Sequence, residues 1–177
     1  RAVESARDSD VVTIFTADHG DEFLDHGRFS HHDTLYDELL HVPLFIRDQS
    51  AGKTHDDIVE LLDISPTICD YANTTAPESW EGTSLRRILD GDSKADRFTV
   101  AVSGSTYSYR DDDWKFIERP GDVELYDLQS DPGEVSNVVD EYPEIADSLS
   151  GILETYRAQA ATTGGDEDNL SIDGVVQ

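Results

Sequence analysis

A dense group of possible metal ligands and proton carriers occupies residues 18–36. It contains four histidines and five acidic side chains. Carboxylate oxygens and imidazole nitrogens bind divalent ions such as Zn²⁺, Mn²⁺ and Ca²⁺, and their ratio favours one ion over another. Acidic clusters in an acid-rich chain are as often solvated surface, so residue types alone leave both interpretations open. The group consists of Asp18, His19, Asp21, Glu22, Asp25, His26, His31, His32 and Asp33.

The predicted secondary structure places this group at the end of a strand. Residues 11–16 form a β-branched and aromatic run, which is typical of a strand buried on both faces of a sheet. Open α/β sheets bind ligands at the carboxyl ends of their strands. A helix over 34–40, a second buried strand over 42–46 and a helical region over 56–71 follow. This alternation predicts an α/β layer over residues 1–92.

The second half of the chain has a different pattern. Four short strand-like runs are separated or followed by turn signals such as Arg119-Pro120-Gly121, which predicts a small antiparallel sheet. Apolar residues at helical spacing over 143–157 predict a helix that covers this sheet. We therefore predict a small β subdomain with a covering helix over 93–160 and a disordered acidic tail over 161–177. The four predicted strands are 98–102, 106–109, 114–118 and 124–127.

Charge limits the partners and the compartment. The 177 residues include 39 acidic and 13 basic side chains, which give a formal net charge of -26. This charge repels nucleic-acid phosphates and anionic lipid headgroups, so neither is an expected partner. A compact chain with so much self-repulsion resembles proteins adapted to molar salt, where the charges are screened. The sequence therefore favours the cytoplasm of a salt-in halophile.

The ends of the chain and its cysteine add little about the compartment. No apolar run reaches the roughly 18 residues that span a bilayer. The sequence contains no Met, so the natural start is expected to lie upstream, and export stays open. Cys69 is the only cysteine, and its apolar neighbours predict a small buried thiol.

Three segments around the histidines stand in a specific order: TADHGDEF at 16–23, GRFSH at 27–31 and LYDELLHVPL at 35–44. This order resembles a motif of the sulfatase family in the alkaline phosphatase superfamily. The resemblance implies the C-terminal part of an alkaline-phosphatase-like α/β/α sandwich, followed by the small antiparallel sheet with its C-terminal helix. It spans about residues 8 to 157 and includes DISPT at 63–67, GTSL at 82–85, WKFI at 114–117, ELYDL at 124–128, DPGE at 131–134 and Asn137.

The resemblance also implies roles for individual residues. Asp18 and His19 match the family's pair of metal ligands at the end of a core strand. His31 lies five residues before Tyr36, where related enzymes place a histidine that contacts the substrate or protonates the leaving group. His32 lies four residues before Tyr36, where many sulfatases have a substrate-binding lysine. The two registers compete, and His31 is preferred.

Other polar residues of the group have structural interpretations. His26 is expected to anchor a loop rather than bind a metal. Asp21 and Glu22 are expected to complement the dipole of a helix that starts after Gly20. Tyr36 and Glu38 are expected to serve as packing and pairing positions of a helix.

The function implied by the resemblance is metal-dependent hydrolysis of a sulfate ester on a small molecule or a saccharide. The implied cofactor is a divalent metal ion, Ca²⁺ for a sulfatase and Mn²⁺ or Zn²⁺ for a phosphoesterase. A phosphodiesterase, phosphonate hydrolase or phosphoglycerol transferase of the same superfamily is the alternative, because Asp-His at the metal is common among its phosphoryl-acting members. A third hypothesis is a catalytically inactive truncated product or a metal-binding fragment.

The family's nucleophile segment, Cys/Ser-x-Pro-x-Arg, does not occur in these 177 residues. Cys69 is followed by Asp70-Tyr71-Ala72 and does not match it. We therefore expect the N-terminal half of the domain as a partner of this chain. Hydrolysis is expected from a full-length sulfatase-type enzyme, and the isolated chain is expected to be inactive.

The charge generates a first prediction. The chain should unfold or aggregate at low salt and melt at a higher temperature in molar KCl, because counter-ions then screen its 39 acidic side chains. Thermal melts followed by circular dichroism across a KCl series measure this effect. A melting temperature that is the same in dilute buffer and in molar KCl would contradict halophilic adaptation.

Overall fold

The chain folds into a small α/β layer and a four-stranded antiparallel sheet that is covered by the C-terminal helix. The computed structural model describes residues 11–31, 34–48, 52–91 and 97–163. Among these residues, no helix is long and apolar enough to cross a bilayer. The elements, in chain order, are β1 (Thr13–Phe15), β2 (Glu22–Phe23), β3 (Phe29–Ser30), α1 (Asp37–Leu40), β4 (Phe45–Arg47), a 3₁₀ turn (Leu61–Asp63), α2 (Ile64–Tyr71), α3 (Arg86–Leu89), β5 (Thr99–Ser103), β6 (Thr106–Arg110), β7 (Trp114–Arg119), β8 (Asp122–Asp127) and α4 (Pro143–Thr163).

The first layer is built on β1 and β4, which pair antiparallel with Phe15 opposite Phe45. Both strands are shorter than predicted, and one face of the pair is open, because Phe15 is 61% exposed and Phe45 is 64% exposed. The prediction that β1 is buried on both faces is therefore wrong for the described residues. Among them β1 has β4 as its one strand neighbour, and two strands alone cannot cover both of their faces.

A buried carboxylate organises the helical region that follows β4. The helix predicted over 56–71 starts only at the 3₁₀ turn, because Glu60 is extended and forms a reciprocal capping box with Asp63. Asp63 also accepts hydrogen bonds from the Thr83 backbone N–H and from the Arg97 guanidinium, each at 2.7 Å. This side chain thus joins the start of α2, the loop before α3 and the entrance to β5.

The second layer confirms the predicted small sheet. β5, β6, β7 and β8 pair antiparallel in sequence order, and α4 packs across them. α4 continues to Thr163, so the tail predicted from residue 161 begins later than expected, and residues 164–177 lie outside the described residues. Residues 92–96 also lie outside them, so the predicted domain boundary stays a prediction. The shared core consists of Tyr109, Phe116, Leu125, Ala146, Leu149 and Leu153.

The ammonium group of Lys115, on β7, is completely buried between this sheet and the start of α1. Its Nζ atom lies 2.7 Å from Asp37 Oδ1 and 3.3 Å from Glu134 Oε1. Arg110 Nε donates to Asp37 Oδ2 at 2.9 Å, and the Asp37 backbone N–H donates to Glu134 Oε2 at 2.7 Å. Two cations and two carboxylates therefore neutralise one another, which is the condition on which buried charges are tolerated. These four residues are called the Lys115 charge cluster.

Protonation of Asp37 should account for a measurable share of the unfolding free energy that the protein loses in acid. Burial alone would raise the pKa of its carboxyl group, but Lys115 and Arg110 outweigh burial and lower that pKa to about 2. A lowered pKa gives stability that is present above the unfolded pKa of about 3.9 and is lost as the pH falls through the folded value. At about 1.4 kcal/mol per pKa unit, this share is roughly 2.5 kcal/mol.

Unfolding free energies measured between about pH 5 and about pH 2 test this share. The variant Asp37→Asn should lack this pH-dependent contribution, so its unfolding free energy should fall less steeply as the pH is lowered than that of the wild type. The control is Asp122→Asn, which removes an exposed carboxylate that pairs with Arg119 and should leave the steep fall intact. Equal slopes for Asp37→Asn and the wild type would contradict the prediction.

Candidate functional site

A short hairpin brings Asp21 and His31 together. β2 and β3 pair antiparallel with Glu22 opposite Ser30, and residues 22–30 are called the site hairpin. Asp21 precedes this hairpin and His31 follows it, so the two side chains meet at its open end. The distance from His31 Nδ1 to Asp21 Oδ1 is 3.2 Å.

This hairpin corrects the roles predicted for Asp21 and Glu22. β2 and β3 occupy residues 22–23 and 29–30, and residues 21–31 contain no helix whose dipole these acids could complement. Asp21 instead faces His31. Glu22 is fully buried, and its Oε1 accepts a hydrogen bond from Thr34 Oγ1 at 3.1 Å. A two-residue strand is too short for hydrophobic alternation to reveal, so the sequence offered no signal for this burial.

His19 joins the pair to form the His19/Asp21/His31 cluster. One possible ligand atom of each residue lies within 4.8 Å of the other two. The ring centroids of His19 and His31 are 4.7 Å apart. His19 Nδ1 lies 2.7 Å from the Gly20 carbonyl oxygen, and this hydrogen bond raises the pKa of His19. In the neutral ring it also assigns the proton to Nδ1, which leaves the Nε2 lone pair available to a metal.

Asp18, the other half of the predicted metal pair, stands beside this cluster. Its side chain is 90% exposed, and its Oδ2 lies 3.9 Å from His19 Nε2. Two ligand atoms that are each about 2.1 Å from one ion are at most about 4.2 Å apart, so Asp18 and His19 are spaced to share an ion. The structure therefore places three of the four predicted site residues in one region: Asp18, His19 and His31.

The fourth predicted residue, His32, lies outside the described residues, as does Asp33. The choice between the His31 and His32 registers therefore stays a prediction.

Gly20 allows the backbone of α1 to pack closely against the turn that carries Asp18 and His19. Its backbone N–H donates to the Leu39 carbonyl oxygen at 2.9 Å, and a Cβ atom at Gly20 would collide with the Glu38 carbonyl oxygen. Any larger residue would push the Asp18-His19-Gly20 turn away from α1. Glycine is therefore required here by close backbone contact.

His26 lies in the turn of the site hairpin and is not part of the cluster. Its ring stacks on that of Tyr36, with 3.7 Å between centroids and 3° between planes. Nδ1 lies 2.5 Å from Glu38 Oε1, and Nε2 lies 2.8 Å from the Glu134 carbonyl oxygen. These contacts give His26 the predicted role of loop anchor, and they give Tyr36 and Glu38 the predicted packing and pairing roles.

The sequence did not predict the contacts of two residues at or near the site, Asp21 and Glu134. Asp21 was assigned to a helix dipole, although its spacing from His31 suits a hairpin once residues 23 and 29 are paired. Glu134 was noted only as the last residue of the DPGE match. Its contact with His26 joins positions 108 residues apart, and no local pattern contains that information.

The donor set at the site fits a divalent ion. Two imidazoles and one carboxylate form the cluster, and a second carboxylate, that of Asp18, stands next to it. Imidazole nitrogens suit transition metals such as Zn²⁺, whereas Ca²⁺ takes oxygen ligands. The His31 and Asp21 side chains are 62% and 50% exposed in this chain.

Comparison with known proteins gives consistent matches. Residues 25–159 match the family described as N-sulphoglucosamine sulphohydrolase, C-terminal. The chain is 30% identical over 160 residues to an arylsulfatase of Clostridium perfringens, covering 82% of this chain and 33% of that protein. A structure solved in complex with its substrate D-glucosamine-2-N,6-O-disulfate is similar, with TM-score 0.73 and 26% identity over 89% of this chain and 36% of that chain. The phosphonate monoester hydrolase of Agrobacterium radiobacter is similar with TM-score 0.70 and 26% identity, over 84% of this chain and 35% of that chain.

These matches confirm the predicted fold class, because the similar structures share the alkaline-phosphatase-like α/β fold. The chain spans about a third of the length of the relatives it matches. The family match covers most of the described residues, including the site hairpin from residue 25 onward and the whole small sheet. The chain therefore belongs to the sulfatase family of the alkaline phosphatase superfamily, and it matches the C-terminal portion of that family's members.

Proposed function

We propose that this chain supplies part of the metal site and a substrate-contacting histidine to a sulfatase-type hydrolase. The observation that carries the proposal is the His19/Asp21/His31 cluster at the carboxyl end of β1, in a chain that belongs to the sulfatase family. Asp18 and His19 would hold a divalent ion. When bound, such an ion stabilises the anionic oxygens of the ester and activates the nucleophile.

His31 is proposed to act on the ester directly. Its Nδ1 faces Asp21 Oδ1, so the carboxylate holds the ring with Nδ1–H as donor and leaves Nε2 for the substrate. In the imidazolium form Nε2 also carries a proton, and this N–H would donate a hydrogen bond to a sulfuryl oxygen or pass its proton to the leaving group, which returns the ring to the neutral form. His32 is the alternative for this role.

The proposed substrate is a sulfate ester of a saccharide or small molecule. One similar structure holds glucosamine disulfate as its substrate, and one relative is an arylsulfatase. A phosphonate or phosphodiester hydrolase is the second candidate, because a phosphonate monoester hydrolase is also similar and because Asp18 is followed by His19 rather than Asn. Sulfate and phosphate esters differ mainly in charge.

The proposed metal follows from the same donors. Ca²⁺ was expected for a sulfatase, and a bound imidazole is unusual for this ion because it prefers oxygen ligands. With His19 as a ligand, Mn²⁺ or Zn²⁺ suits the donor set better. Measured affinities for Ca²⁺, Mn²⁺ and Zn²⁺ distinguish these metal assignments.

Metal binding by the 177-residue chain is the test of the site. Calorimetry in molar KCl should show one ion bound per chain, and Asp18→Ala combined with His19→Ala should weaken the affinity by at least about 100-fold, because two ligands are lost. The control is His41→Ala, which removes an exposed imidazole from the loop that precedes β4. Equal affinity of the wild type and the double variant would contradict the proposed ligands.

Ester hydrolysis by the intact protein separates the two candidate functions. A sulfatase should have a higher kcat/KM for an aryl sulfate than for a phosphonate monoester, and a phosphonate hydrolase should show the reverse order. His31→Ala should lower kcat/KM for the preferred ester by roughly 100-fold or more, which is the usual contribution of a general acid. Unchanged kcat/KM in His31→Ala would transfer the role to His32.

A further inference from the structure

The His26 ring has a hydrogen-bond acceptor at each of its two nitrogens. Nδ1 faces the Glu38 carboxylate at 2.5 Å, and Nε2 faces the Glu134 backbone carbonyl oxygen at 2.8 Å. A carbonyl oxygen and an ionised carboxylate can only accept, whereas a neutral imidazole has a single N–H to donate. Both hydrogen bonds are therefore made at once by the imidazolium form, with Glu38 ionised.

The groups that face His26 favour this form. α1 contributes Glu38, and the residue before α1 contributes the ring of Tyr36. The loop after β8 contributes Glu134, whose carboxylate is in turn paired with Lys115. Burial disfavours a charged ring, but the hydrogen bonds to Glu134 and Glu38 outweigh it, so the pKa of His26 is raised above its ordinary value. The His26 and Glu38 side chains are only 13% and 15% exposed, which limits screening by solvent.

The site hairpin needs an external anchor. Its two strands contain two residues each, and a short two-stranded ladder is at best marginally stable. Leu24 and Ser30 have φ values of 78° and 83°, a region that residues other than glycine seldom occupy. Phe23 is 70% exposed and Phe29 is 63% exposed, so little apolar burial stabilises the hairpin among the described residues.

We propose that His26 is a positioning residue of the site: as an imidazolium, it fastens the site hairpin to α1 and to the loop of Glu134. This attachment holds Asp21 and His31, at the two ends of the hairpin, within contact distance. The positioning role rests on the proposed function, whereas the charge state of His26 does not.

The sign of the pH dependence follows from the raised pKa. The attachment is complete below the unfolded pKa of about 6.5 and is lost as the pH rises through the folded value. The Tyr36 hydroxyl does not interfere, because burial raises its pKa above the ordinary value of 10.0. The hairpin should therefore loosen as the pH rises through the raised pKa of His26.

The first experiment measures the charge state by ¹⁵N NMR of the histidine rings in the 177-residue chain. At neutral pH both ring nitrogens of His26 should carry a proton, because each of them faces a hydrogen-bond acceptor. In Glu38→Gln the amide can donate to Nδ1, so a neutral ring satisfies both partners and His26 should lose its proton at a lower pH. A wild-type His26 that has one N–H at neutral pH would overturn the proposal.

The second experiment measures the attachment by amide hydrogen exchange, corrected for intrinsic rates. The Leu24 and Gly27 amides donate to the Arg28 and Leu24 carbonyl oxygens within the hairpin. In His26→Gln, which retains a neutral donor but no charge, they should exchange about 10-fold to 100-fold faster, as expected for loss of a charged hydrogen bond. His41→Gln is the matched control and should leave both rates unchanged, and equal rates in His26→Gln and the wild type would overturn the attachment.

The third experiment measures metal affinity, which tests whether the attachment made by His26 affects the metal site. His26→Gln should weaken ion binding by about 10-fold, the lower end of the range for residues that orient ligands, and His41→Gln should not. Unchanged affinity in His26→Gln with faster hairpin exchange would overturn the positioning role. If the wild-type chain binds none of the three ions, the proposed function fails while the NMR result still decides the charge state of His26.

Discussion

The burial of one ammonium group constrains most of the polar contacts around the site. Lys115 is fully buried on β7 and requires anionic partners, which Asp37 and Glu134 supply from two other segments. Asp37 begins α1, so its position also fixes Glu38, the next residue. Glu134 adopts a φ of 52° to place its carboxylate at Lys115, and its carbonyl oxygen then faces His26. The Lys115 charge cluster thereby sets the positions of both acceptors that hold the site hairpin.

The distribution of charge explains how so acidic a chain can have ionic groups in its interior. Within the Lys115 charge cluster two cations face two carboxylates, and His26 faces Glu38 nearby. The four residues of the Lys115 charge cluster balance one another, so they add nothing to the net charge of -26, which is carried by other residues. Surface repulsion is screened by salt, and buried pairs are screened much less. Sensitivity to salt thus arises at the surface, and sensitivity to acid arises at the buried pairs. Adaptation to high salt stays a prediction about the surface charges.

Local signals in the sequence predicted much of the fold. Turn residues and apolar spacing located all four strands of the small sheet and α4, because each of those signals acts over a few neighbouring residues. The start of the helix before Tyr71 was misplaced, since Asp63 is held by Thr83 and Arg97 from distant segments. Asp21 and Glu22 were assigned to the dipole of a helix because β2 and β3 contain only two residues each, too few for an alternating pattern to appear in the sequence.

The sequence separation of that contact has a consequence for the order in which the site forms. His26 meets Glu134 across 108 residues, and Asp37 meets Lys115 across 78. Chain entropy opposes such closures until the distant partner is present, and synthesis proceeds from the N-terminus. On the ribosome, His19, Asp21 and His31 emerge well before the residues that fix their geometry. During that interval they are open to any available ion, and the Irving–Williams order favours Cu²⁺ and Zn²⁺ over Mn²⁺. At the proposed metal site, selection of the ion by shape would begin only when the C-terminal sheet has folded.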